Sequence, residues 1–139
     1  MVGSEAMKFS TNVTSSRRKQ RCKHFSSSSS ARRRLMSATL SKDLREKYNC
    51  RAIPVCKEDE VKIMTGKLKG REGRVTQVYR KRFYIIVDRV NRTKSDGQTE
   101  VSVPIHPSNV MITNIKETPS RLKILERRGA GAKHMDVVD

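Results

Sequence analysis

Residues Asp59 to Tyr79 constrain the fold more than any other stretch of the chain. They read Asp-Glu-Val-Lys-Ile-Met-Thr-Gly-Lys-Leu-Lys-Gly-Arg-Glu-Gly-Arg-Val-Thr-Gln-Val-Tyr. Val61 and Ile63 alternate with Glu60, Lys62 and Met64, the period-two pattern of a strand with one buried face. Apolar alternation resumes at Val75, and Gly66, Gly70 and Gly73 punctuate the gap. A residue with a Cβ is strained at positive φ, so the glycines predict a tight loop between two strands, with Gly73 itself at positive φ. Val75 and Val78 are three apart, which predicts a bulge or bend of the kind small barrels need at their corners. Lys67, Lys69, Arg71 and Arg74 surround the glycines. A rigid turn carrying these cations is suited to gripping phosphates.

The positions of Asp59, Val61, Ile63, Gly66, Lys69, Gly70, Gly73, Val75 and Val78 resemble the KOW motif, a strand–loop–strand unit of ribosomal proteins and transcription elongation factors. The resemblance implies a mainly β fold, an SH3-like KOW β-barrel, without fixing one function. The bland alternative is an ordinary glycine-containing hairpin with solvated lysines.

Charge narrows the partner. In 139 residues there are 31 Lys and Arg against 14 Asp and Glu, a formal charge of +17. Such an excess opposes compaction and favours a polyanion. The basic clusters recur along the chain instead of lining one amphipathic helix, which favours nucleic acid over a membrane surface. No apolar run approaches the ~20 residues that span a bilayer, and no signal-peptide core appears. Cys22, Cys50 and Cys56 are odd in number and lack paired spacing, the usage of a reducing compartment.

The chain divides into a basic N-terminal extension with short helices (1–50), a barrel (51–116) and a C-terminal helix and tail (117–139). Met1–Ala6 and Ala130–Asp139 read as tails. Lys8–Leu40 has nine basic residues and no acidic one, so it is expected to build no core and to be disordered until it meets a counter-charge. Within it stand Arg17, Arg18, Lys19, Arg21, Lys23 and His24, a serine run, and Arg32, Arg33 and Arg34. A short helix is predicted over Ala31–Ala38 with Ser30 as cap, the arginine triplet fanning towards phosphates. A second fits Ser41–Tyr48, with Ser41 as N-cap, an Asp43–Lys47 pair and Asn49 in the left-handed C-terminal position. Pro54 biases Arg51–Val55 to extended backbone. Phe83–Val87 reads as a strand covered on both faces, Asn91–Gly97 as a loop, and Val101–Ile105 as a strand that Pro104 marks as an edge. His106–Asn109 is a turn, and Val110–Ile115 closes the sheet. Thr118-Pro119 starts a helix that Gly129 is expected to stop.

Further blocks are similar to one family. Arg33–Asn49 resembles the segment before its KOW motif; Arg51–Val55, Val78–Arg82, Val87–Arg92, Ile105–Val110 and Lys123–Arg127 continue the match. The family is the universal large-subunit ribosomal protein, twenty-six in eukaryotes and twenty-four in bacteria. Membership implies a non-enzymatic constituent of the cytosolic large subunit. It implies binding to large-subunit rRNA beside the mouth of the polypeptide exit tunnel, contact with neighbouring large-subunit proteins and a role in subunit assembly. No cofactor, membrane or small-molecule substrate is implied. The glycine loop and Arg80, Lys81 and Arg82 would then clamp phosphates while the extension threads between RNA helices. Phe25, Tyr79, Phe83 and Tyr84 could stack on bases, although the last three are expected in the core.

Other chemistries fare worse. Cys22, His24, Cys50 and Cys56 could ligate zinc, but close-spaced pairs are absent. No nucleophile, His and acid constellation is recognisable, and the carboxylates read as surface partners of basic residues. A KOW elongation factor is the alternative function, yet such factors usually add a polymerase-binding domain for which there is no room. A mitochondrial ribosomal protein would explain the Arg- and Ser-rich start as a transit peptide, but the family match already occupies that stretch.

Overall fold

A computed structural model describes residues 10–133 of the chain, so the expected tail Met1–Ala6 and residues 134–139 lie outside the described range. The apolar alternations become seven strands: β1 (Ser37–Leu40), β2 (Ala52–Pro54), β3 (Glu60–Ile63), β4 (Glu72–Tyr79), β5 (Tyr84–Thr93), β6 (Glu100–Ile105) and β7 (Val110–Asn114). Four helices flank them: α1 (Arg17–Phe25), α2 (Ser29–Leu35), α3 (Lys42–Tyr48) and α4 (Pro119–Lys133). The strands form one mixed sheet in the order β2-β1-β7-β3-β4-β5-β6. This mainly β architecture with helices at both ends agrees with the SH3-like expectation.

Strand β4 carries the sheet around its corner. Its first residues pair with β3 (Lys62 opposite Glu72, Val61 opposite Gly73), and Val75 onward pair with β5. The register slips between Val75 and Gln77, the bulge that the valine spacing predicted. A second irregularity lies in β5, where Arg89 sits at φ +59° and returns Val90 to the buried face beside Val87. Strand β5 begins at Tyr84; Phe83 instead ends a 3₁₀ turn (Arg80–Arg82) in left-handed backbone at φ +57°. It alternates, with Ile85 and Val87 buried and Tyr84 and Ile86 half-buried, so it is not a strand covered evenly on both faces. Strand β6 is the sheet's edge, as Pro104 requires. The loop before it is shorter than expected, Lys94–Thr99, and is closed by Asp96. Its carboxylate accepts from the Thr99 hydroxyl at 2.7 Å and from the amides of Thr99 and Gln98, which hold its pKa below the usual range.

The N-terminal stretch departs most from expectation. The predicted helix over Ala31–Ala38 is α2, capped by Ser28 instead of Ser30, and it ends at Leu35. Ser37–Leu40 is β1, wedged between β2 and a parallel partner, β7, with Leu40 opposite Ile112. Met36, Ala38 and Leu40 are buried with Ile53, Val61, Ile85 and Ile112 in the main core. The stretch therefore does supply core. Its alternation of buried and half-buried positions is a strand signal that the arginine triplet obscured. Helix α3 is as predicted, with Ser41 capping Leu44 and Asn49 left-handed at φ +47°. Lys47, however, reaches Glu117 at 3.8 Å, not Asp43. Helix α4 passes through Gly129, where a Cβ would stand 2.6 Å from the Tyr48 carbonyl. The glycine serves close packing of α4 on the end of α3, not termination.

One interaction ties α4 to the sheet. Asp59 is fully buried and Arg121 nearly so, and their side chains meet in a two-pronged pair whose second prong, Nη2 to Oδ2, is 2.7 Å. The Asp59 carboxylate also accepts the amides of Cys56 (2.8 Å) and Lys116 (3.0 Å). Arg121 also donates to the carbonyls of Pro54 and Lys116. Asp59 is thus no surface partner, contrary to the expectation for carboxylates in this chain.

The burial of β1 dictates how truncations behave. Removing residues 1–40 takes out three core side chains and a central strand. Deleting one large buried side chain costs about 2–5 kcal/mol, so this truncated chain should show no cooperative thermal unfolding. A chain beginning at Met36 keeps β1 and should melt cooperatively. Circular dichroism of both distinguishes a structural β1 from a dispensable arm.

Candidate nucleic-acid interface

The glycine loop joins β3 to β4. Gly66 and Gly70 have φ of +80° and +88°, values that strain any residue with a Cβ, and a Cβ at either would point into open space. The loop is closed by backbone bonds from Gly70 to Ile63 (2.8 Å), Lys69 to Gly66 (3.2 Å) and Arg71 to Leu68 (3.2 Å). Gly73 is different: it lies in β4 without positive φ, and a Cβ there would stand 2.6 Å from the Asp88 carbonyl. Glycine is required there because β5 approaches closely, not for the backbone angle expected. Lys67, Lys69 and Arg71 are exposed and form no ion pair among the described residues. Arg74 lies 3.5 Å from Glu60, so its charge is partly answered within the protein.

A second basic group gathers at the other end of β4, about 20 Å away at the ordinary rise per strand residue. Arg80, Lys81 and Arg82 form the exposed 3₁₀ turn between β4 and β5. Onto it fold α1 and α2. The His24 ring stacks on Phe83 at 4.2 Å, and Phe25 meets both rings edge-on. The Arg32 guanidinium lies 4.9 Å over Phe83 and donates to the carbonyls of Phe25 (2.5 Å), Ser27 (2.9 Å) and Lys81 (2.9 Å). Left-handed backbone is costly for a bulky residue, and these contacts hold Phe83 there. His24 and Arg32, two of the expected RNA ligands, therefore also fasten the helices to the turn. Arg33 and Arg34 are exposed, as are Arg17, Arg18, Lys19, Arg21 and Lys23 along α1, which buries none of its residues. Arg21 rests 4.8 Å from the Phe25 ring centroid. The stretch expected to be disordered is thus helical, and its cations point outward from a docked element.

The aromatic residues sort differently from expectation. Phe83 is buried, but Tyr79 is 42% exposed. The sequence held the signal: once the bulge turns Val78 inward, its neighbour Tyr79 must face out. Lys57, exposed near it, belongs to none of the basic clusters of the sequence. The four candidate zinc ligands are otherwise engaged or apart. Cys22 is exposed on α1, His24 stacks on Phe83, and Cys50 donates to the Ala52 carbonyl at 3.3 Å. No group of three or more His, Cys, Asp and Glu residues gathers among the described residues.

The two roles within the arginine triplet are separable. Arg32→Ala should lower the melting temperature, because it removes three hydrogen bonds holding α1, α2 and the turn together. Arg33→Ala and Arg34→Ala should leave stability unchanged and each cut the salt dependence of RNA binding by roughly 0.7–0.9 in log–log slope. Thermal melts and salt-titrated binding of the three single variants check this.

Comparison with known proteins places the chain. The model of a family described as ribosomal proteins, L26 in eukaryotes with its archaeal counterpart, matches residues 14–128. The chain is 49% identical over 123 residues to the "Large ribosomal subunit protein uL24" of Schizosaccharomyces pombe, covering 88% of this chain and 97% of that one. It is 46% identical to the protein of that name in Littorina littorea (88% and 85% covered) and 48% identical to that in Dictyostelium discoideum (88% and 87%). Over nearly the whole described range, then, this chain belongs to the family of the eukaryotic ribosomal protein L26 and its archaeal counterpart.

Proposed function

We propose that the chain is a structural constituent of the large ribosomal subunit, binding large-subunit rRNA beside the polypeptide exit tunnel and supporting subunit assembly in the cytosol. The observation that carries this reading is the match over residues 14–128 together with relatives of 46–49% identity that are large-subunit proteins by name. The electrostatics support it. A chain of +17 displays cations at both ends of β4 and along α1, most of them without an acidic partner among the described residues. Such groups bind phosphate by releasing condensed counterions and read backbone shape more than base identity. The exposed cations Arg17, Arg18, Lys19, Arg21, Lys23, Arg33, Arg34, Lys67, Lys69, Arg71, Arg80, Lys81 and Arg82 supply the contacts. Neighbouring large-subunit proteins are the other partners. The role is architectural, without catalysis. The elongation-factor alternative finds no support among the relatives.

Sucrose-gradient sedimentation of the endogenous protein tests the assignment. It should travel with large subunits and full ribosomes, persist through a moderate-salt wash and be released by RNase digestion. Recovery at the top of the gradient, or with RNA polymerase, would contradict it.

A further inference from the structure

Tyr79 and the cleft beside it point to a site that the phosphate contacts do not explain. The side chain is exposed yet braced. Its ring leans on Tyr84 at 5.0 Å between centroids, and its hydroxyl donates to Gln77 Oε1 at 2.5 Å. It forms one wall of a cleft of about 450 Å³ lined also by Cys56, Lys57, Thr76, Gln77 and Arg80. That volume falls within the ~300–1,000 Å³ of small-molecule sites.

Building on the RNA-binding reading, we infer that this cleft captures a single unpaired nucleotide of RNA, its base stacked on Tyr79 and its flanking phosphates held by Lys57 and Arg80. The chemistry favours this occupant on three counts. An aromatic ring already fixed by two contacts loses little freedom on stacking, and every base offers a π-face. The rim carries two exposed cations, the lining contains no carboxylate, and neither Lys57 nor Arg80 forms an ion pair among the described residues. The polar lining offers both a donor and an acceptor. Gln77 uses its oxygen on Tyr79, leaving its amide hydrogens for an acceptor on the base edge, and the Thr76 hydroxyl, whose hydrogen goes to the Ile86 carbonyl at 3.2 Å, keeps its lone pairs for a base-edge donor. Proteins recognise RNA specifically by such splayed-out bases, because side chains cannot read the deep groove of the paired helix.

The test compares two RNA hairpins with the same stem, one bearing a single 2-aminopurine bulge and the other fully paired, bound by the full chain. Wild-type protein should prefer the bulged hairpin and quench its fluorescence. Tyr79→Leu should weaken binding to the bulged hairpin about tenfold and to the paired one by less than about twofold, and abolish quenching. Tyr79→Phe keeps the ring and its contact with Tyr84 but loses the bond to Gln77, so it should keep the quenching and weaken binding to the bulged hairpin by less than about threefold. Unchanged affinity of the Leu variant for the bulged hairpin, or equal losses on both, overturns the inference. The salt slope of wild type on the paired hairpin reads the phosphate contacts separately. A steep slope with an indifferent Tyr79 defeats only the base site, whereas a flat slope defeats the RNA-binding reading and this inference with it.

Discussion

The buried pair of Asp59 and Arg121 is the constraint on which the rest of the arrangement depends. Taking two charges out of water costs several kcal/mol per ion, about as much as their attraction returns unless every remaining lone pair and proton is used. Here almost all are. The carboxylate accepts two backbone amides besides the guanidinium, and the guanidinium reaches two carbonyls besides the carboxylate. Those backbone groups belong to the end of β2, the turn into β3 and the segment leaving β7. One side-chain pair therefore gathers three chain segments and α4 at a single point. Alternative registers of these segments would leave a charge buried alone, so the pair selects one arrangement.

That rigidity matters because of what the surface must do. A charge of +17 works against any compact state, and it serves RNA binding only if its cations are held where phosphates will be. The scaffold holds exposed cations in place at two stations joined by β4. At one, two glycines in left-handed backbone permit the tight turn, closed by backbone hydrogen bonds, that carries Lys67, Lys69 and Arg71. At the other, Arg32 and the stacked rings of His24 and Phe83 fasten the arginine-rich helices to the 3₁₀ turn. Some cations are thus used in construction so that their neighbours can be positioned.

Local signals with a single physical meaning were legible in the sequence. The valine spacing gave the bulge in β4, Ser41 and Asn49 bounded α3, and Pro104 marked the edge strand, because each reflects backbone sterics that tertiary context rarely overrides. What stayed hidden depended on partners distant in the chain. β1 is four residues beside an arginine run, and only its pairing with β2 and with β7, the latter over seventy positions later, makes it core. Glycine at 73 and 129 answers the close approach of Asp88 and Tyr48, which no local pattern announces. Arg121 looks like one more cation until Asp59 is seen behind it. The same holds for the candidate site: the basic runs were visible, but not which member of each run is fastened inward.

A double-mutant cycle on the buried pair tests this account most directly. Asp59→Asn and Arg121→Met should each destabilise the chain by about 3–5 kcal/mol, since each leaves one charge buried without its partner. The double variant should be far less destabilised than the sum of the two, a coupling of roughly 2 kcal/mol or more in urea-unfolding midpoints. Additive losses, or single variants with wild-type midpoints, would show that the pair does not hold the fold together.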